Sequence, residues 1–177
     1  LADLDALMRR NALVHASSPA RENEQLLISV NIGFSYLENH DLPKRIFALL
    51  DEFGVDRARL VLELPEGEAL RDAHTFAVLT DMRRQGLKIA LDDFGIGYSN
   101  MARLGTLAPE IVKLDRSLVA PLDAPSASTR LVRRIIELAH DGGAGVIGEG
   151  AETERQHGTR RALGGDMVHG FLSERRT

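Results

Sequence analysis

From Leu26 to the end of the chain, short apolar runs rich in Val, Ile and Leu alternate with stretches of helical periodicity, which leaves few folds open. The runs LLISVN, RLVLEL, LKIALDD, EIVKLD, AGVIGEG and DMVHGF read as strands. Between them, Ala69, Leu70, Ala73, Phe76, Ala77 and Met82 recur at helical spacing ahead of Gly86, as do Leu131, Ile135, Ile136 and Leu138 ahead of Gly142. Continuous apolar strands joined by helices imply a parallel α/β sheet covered by helices, either open and doubly wound or closed into a barrel. Loops around Pro19, Pro109, Pro121 and Pro125 are too short to announce a second domain, so the 177 residues read as one unit.

Polar residues fall at one place in this pattern. Asn31 closes the first run, Glu63 the second, Asp92 and Asp93 the third, Lys113 and Asp115 the fourth, and Glu149 the fifth, with Glu152 just beyond. In parallel α/β folds the C-terminal strand ends share one face, so these side chains are expected to converge. Two carboxylates about 4 Å apart repel by roughly 4 kcal/mol at an effective dielectric near 20. A cluster of them must take up protons or hold cations, and Asp, Glu and Asn oxygens suit Mg²⁺, Mn²⁺ or Ca²⁺. Lys113 inside such a cluster would face a substrate phosphate or a metal-bound water. Taken singly, each acid is as well explained as a helix cap or a surface charge. Agreement among successive strand ends is what favours a metal site.

Other chemistries find less support. The net charge of −4 opposes broad capture of nucleic acid, and the pairs Arg9-Arg10, Arg83-Arg84, Arg133-Arg134, Arg160-Arg161 and Arg175-Arg176 are scattered over helix exteriors. Without cysteine there is no disulfide framework or thiolate site, no signal peptide is visible, and no apolar run reaches the roughly 20 residues of a membrane span. A cytoplasmic setting without membrane contact is expected for this domain, and a membrane anchor elsewhere in a parent protein is compatible with it. FGIGYSN imitates a dinucleotide loop, but Asn100 stands where the third glycine belongs and Asp92 and Asp93 would repel a pyrophosphate. His140-Asp141 lacks a second histidine at ligand spacing, and no GxSxG elbow occurs.

Taken in order, ISVNIGFSYL, LVLELPEGEAL, LKIALDDFGIGYSN, IVKLDRSLV, VIGEGAETERQ and DMVHGFLSE resemble the successive motifs of the EAL-domain family, from about Leu26 onward. That family comprises cyclic di-GMP phosphodiesterases and inactive relatives. The resemblance implies a modified TIM (β/α)8-type barrel and metal-assisted hydrolysis of cyclic di-GMP to the linear dinucleotide pGpG. It implies Asn31, Glu63, Asp92 and Asp93 as ligands of two Mg²⁺ or Mn²⁺ ions. Lys113 and Glu149 would position or activate the attacking water, with Asp115 in support. Glu66 and Glu152 would order loops. Gly95, Gly97, Tyr98 and Ser99 would form the loop over the metals, which the family also uses near its dimer interface, and His169 would lie near the substrate. A homodimer, and fusion to or control by other signalling domains, are implied as well.

The departures shape two expectations. The signature Glu-Ala-Leu segment, with its ligand glutamate, does not occur, and residues 1–16 match the helix that follows it. Against an eight-stranded barrel, about two strands are missing, which suggests an N-terminally incomplete EAL-type domain over residues 1–177. Pro65 and Ile96 replace usual threonines, and His169 replaces a usual glutamine. Retention of the other ligands favours an enzyme. The alternative is a catalytically inactive domain that binds cyclic di-GMP or a protein partner as receptor or scaffold.

Overall fold

A computed structural model of the chain describes residues 27–69, 73–95, 105–120, 127–150, 158 and 167–169. The strands are β1 (Ile28–Asn31), β2 (Leu60–Pro65), β3 (Lys88–Phe94), β4 (Ile111–Leu114), β5 (Gly145–Glu149) and β6 (Met167–His169). They form one six-stranded sheet in the order β1-β2-β3-β4-β5-β6, every neighbouring pair parallel. Each of the expected runs supplies a strand. Among the described residues β1 and β6 are edges, so the sheet is an open parallel α/β sheet rather than a closed barrel.

The helices are α1 (Phe34–Leu37), α2 (Leu42–Phe53), α3 (Glu66–Ala69), α4 (Ala73–Arg84), α5 (Arg116–Val119) and α6 (Ala127–Asp141). Leu42, Ile46, Leu49 and Leu50 of α2 recur at helical spacing and are all buried, with a proline in its first turn, where no backbone donor is wasted. Leu60, Leu62 and Leu64 of β2 and Ile89 and Leu91 of β3 face these helices and are at most 1% exposed. Burying a side chain of this kind is worth about 1.5–3 kcal/mol, so this layer supplies the driving force that holds the sheet.

Two helical faces differ from the expectation. In α4 the buried stripe is Thr75, Leu79 and Met82, whereas Ala73 and Ala77 are exposed and Phe76 is half-buried. Met82 is common to both faces, and Leu79 buries more area than Ala73 or Ala77 can, so the helix turns toward it. Leu70 and the side chain of Ala69, also expected on this face, lie outside the described residues. In α6 the sheet takes Val132, Ile135, Ile136 and Ala139, leaving Leu131 50% and Leu138 36% exposed.

The N-terminal strand ends are tied together by Glu110. Its carboxylate accepts Arg83 Nε at 2.6 Å and the backbone N–H of Ile89 at 2.9 Å, joining the end of α4 to β3 and β4. Arg83 is therefore a structural tie and not one of a solvated pair. Arg133 and Arg134 are exposed, and Arg134 pairs with Glu137 at 2.7 Å. The other arginine pairs noted above, apart from Arg84, lie outside the described residues. Among the described residues no helix is long and apolar enough to cross a membrane.

Candidate active site

Strand register carries the polar residues to one face. Asn31 pairs with Glu63, Glu63 with Ala90, Ala90 with Ile111, and Lys113 with Ile147. Paired residues of neighbouring strands point the same way, and so do residues two apart on one strand. Asn31, Glu63, Asp92, Lys113 and Glu149 therefore share the face opposite the helix-packed leucines. His169 lies across from Glu149 in the β5–β6 register.

A regular strand would send Asp92 and Asp93 to opposite faces. Here the register slips: Leu91 pairs with Val112 but Phe94 pairs with Leu114, so both acids stand against Lys113 alone. This is a β-bulge, and Asp93 takes φ 54, the left-handed region that accommodates the extra residue. The result is that carboxylate oxygens of Asp92, Asp93 and Glu149 lie within 4.8 Å of one another.

Lys113 is the centre of the cluster. Its ammonium lies 2.7 Å from Glu149 Oε1, 3.0 Å from Asp92 Oδ1 and 3.1 Å from Glu63 Oε2. With a side chain only 12% exposed, it joins β2, β3 and β5 across the mouth of the sheet. Burial disfavours its charged form, but the hydrogen bonds to Glu149, Asp92 and Glu63 outweigh that and hold the ammonium well above the ordinary lysine range. Partial desolvation, then the charges of Asp92 and Asp115, push the Asp93 carboxyl up, with Lys113 opposing. Among the described residues, four carboxylates stand around one ammonium, an excess of three negative charges. The donors are all hard oxygens, so the cluster fits hard divalent cations.

Asp115 has a different place from the other acids. Its side chain accepts the N–H of Ser117 at 2.7 Å and caps α5. Burial would raise its pKa, but these bonds to Ser117 and the backbone of Arg116 win, and the carboxyl sits below its ordinary value. Glu66, only 7% exposed, uses Oε2 to accept the N–H of Gly95 at 3.2 Å, which anchors the turn leaving β3. Gly95 has φ 100, and the side chain of Leu118 occupies the space a Cβ would need. Gly95→Ala is expected to destabilise the fold by more than about 1 kcal/mol, read as a fall in Tm of several degrees. An unchanged Tm would show that the turn tolerates another path. At the end of β5, the aliphatic stem of Arg116 lies 2.7 Å from where a Cβ of Gly150 would stand.

Of the predicted residues, the structure brings Glu63, Asp92, Asp93, Lys113 and Glu149 together, sets Asn31 beside Glu63 in register, and places Asp115, Glu66 and Gly95 around them. Gly97, Tyr98, Ser99 and Glu152 lie outside the described residues, as does the side chain of His169. Ser29 was not expected here: its hydroxyl donates to Glu63 Oε1. Its position two residues before Asn31, hence on the same face, was the available signal. A cavity of 240 Å³ lined by Ala108, Pro109, Leu138 and Ala144 lies by the N-terminal ends of β4 and β5, away from this cluster.

The description of the EAL domain matches residues 1–175. The chain belongs to the EAL-domain family. It is similar to a Pseudomonas aeruginosa protein named as a cyclic di-GMP phosphodiesterase, 31% identical over 97% of this chain and 31% of that one. Two solved structures share the fold of this EAL domain. One, the PaMucR phosphodiesterase in a c-di-GMP complex, superposes with a TM-score of 0.83 at 29% identity, over 97% of this chain and 68% of that one. The other, the EAL domain of Mycobacterium smegmatis DcpA, does so with a TM-score of 0.83 at 30% identity, over 96% and 75%. The TIM-barrel-like fold expected from the sequence is thus the fold observed. The chain spans 18%, 20% and 31% of the lengths of three curated relatives it matches.

Proposed function

We propose that this EAL domain hydrolyses one phosphodiester of cyclic di-GMP, yielding the linear dinucleotide, with Mg²⁺ or Mn²⁺ held by Asn31, Glu63, Asp92 and Asp93. The observation that carries the reading is that, among the described residues, one ammonium, that of Lys113, stands among carboxylates from three strands, with further negative charge left over. A purely structural ion-pair network would tend toward balanced charge; an excess of three makes sense where dications and a phosphate ester come and go. The names of relatives point the same way, one being a cyclic di-GMP phosphodiesterase and one solved structure a c-di-GMP complex.

When bound, divalent ions at such a cluster neutralise phosphate oxygens and lower the pKa of water. The chain's own residues divide the remaining work. Glu149 stands at the rim of the cluster, 24% exposed, where its carboxylate accepts a proton from the attacking water. Lys113, hydrogen-bonded to Glu149, holds that carboxylate in orientation and sets positive charge against the phosphate. Asp115 fixes the start of α5, and Glu66 fixes the turn at Gly95, so the mouth keeps its shape.

The decisive assay incubates the intact protein with cyclic di-GMP and Mg²⁺ or Mn²⁺ and separates the products by chromatography. Linear dinucleotide that forms only with the metal is the expected result. Tight binding of cyclic di-GMP with no product over hours would replace this reading with that of a receptor.

A further inference from the structure

Ser29 belongs to none of the roles assigned above, yet it touches one of the expected ligands directly. Its hydroxyl donates to Glu63 Oε1, while the other oxygen, Oε2, receives the Lys113 ammonium at 3.1 Å. The Glu63 carboxylate is thereby gripped at both oxygens, from β1 on one side and β4 on the other. The terminal torsion of a glutamate is broad and nearly free on its own, so these two bonds decide which oxygen points where. Register accounts for the contact. Ser29 pairs with Val61 and Asn31 with Glu63, which sets the serine one step down the sheet on the face that Glu63 occupies.

The bond has a chemical direction. A hydroxyl donating to an ionised carboxylate forms a charge-assisted hydrogen bond, roughly twice as strong as a neutral one. Partners of this kind behind metal-binding side chains typically account for 10–100-fold in metal affinity. An exposed strand serine without such a partner would matter little, since surface substitutions usually change stability by less than about 0.5 kcal/mol.

We propose that Ser29 is a positioning residue for Glu63, holding Oε1 while Lys113 holds Oε2, so that the carboxylate keeps the orientation in which it meets a divalent cation. The proposal rests on the reading of Glu63 as a metal ligand. It concerns metal binding itself and needs no turnover to be tested.

The experiment follows free Mn²⁺ by electron paramagnetic resonance as it is titrated into the intact, metal-stripped protein without nucleotide. Ser29→Ala is expected to weaken Mn²⁺ binding by about 10–100-fold. Ser29→Thr, which keeps the hydroxyl on a side chain well suited to strands, should restore affinity to within a few fold. The metal-free Tm of both variants should stay within about 2 °C of the parent, as for an exposed position. Parental affinity in Ser29→Ala, or an equal loss in Ser29→Thr, overturns the role of Ser29 alone. Glu63→Gln is the control for the underlying reading: if it binds Mn²⁺ as the parent does, or if the parent binds none, Glu63 is no ligand and both readings fall.

Discussion

Glu149→Gln is expected to lower the turnover of cyclic di-GMP by about 10²–10⁴-fold, the usual worth of a positioned general base, while its Kd changes by only a few fold. The substitution keeps the size of the side chain and an oxygen that can still accept from Lys113, whose ammonium lies 2.7 Å from Oε1. What it removes is the capacity to take a proton. Glu149 closes β5, and in the proposed arrangement the ligands Asn31, Glu63, Asp92 and Asp93 all remain in the variant, so nucleotide affinity should be largely preserved. Single-turnover rates together with calorimetric Kd values would separate the two effects. Turnover within tenfold of the parent would remove Glu149 from the role of base.

Lys113→Ala carries the second large effect, on stability as well as on rate. Among the described residues the lysine is the one positive charge paired with the carboxylates of Glu63, Asp92 and Glu149, all at most 24% exposed. Removing one partner of a buried ion pair costs about 3–5 kcal/mol, and partial solvent access places this cluster near the lower end. For a chain of this size each kcal/mol shifts Tm by about 2–4 °C, so the metal-free variant should melt roughly 6–12 °C lower. Because the lysine pKa is raised in the fold, its contribution is complete below the unfolded-state value of about 10.4 and fades only as pH rises through the higher folded value. The deficit should accordingly be constant between about pH 6 and 9. Excess Mn²⁺ should recover part of it, since a ligand of the folded state at 100 times its Kd adds about 2.7 kcal/mol. Equal melting of variant and parent without metal would mean that the carboxylates do not depend on Lys113.

Much of this was legible beforehand, and the reason is periodicity. Continuous apolar runs such as RLVLEL can be satisfied only between two layers, so strand identity and parallel order followed from hydrophobicity alone. The convergence of Glu63, Lys113 and Glu149 followed in turn, because each lies within two residues of the C-terminal end of its strand and parallel strands end together. Other features depend on tertiary competition that periodicity does not encode. The face α4 turns inward was decided by Leu79 outweighing Ala73 and Ala77, with Met82 buried as expected. The tie between Arg83 and Glu110 spans 27 positions, and nothing local distinguishes Arg83 from Arg84. Adjacent Asp92 and Asp93 were expected to act together, but alternation along a strand argues against it. The slipped register that reconciles the two is set by how β3 meets β4, not by composition.

The left-handed backbone at Asp93 also implies a conflict between folding and chemistry at a single position. Aspartate tolerates φ 54 less readily than glycine, and a residue held in such a region stores on the order of 1–3 kcal/mol. Glycine there would ease the chain while deleting one arm of the cation cradle. If Asp93 holds a cation as proposed, Asp93→Gly should raise the metal-free Tm while weakening Mn²⁺ binding, a trade between durability and chemistry at one position.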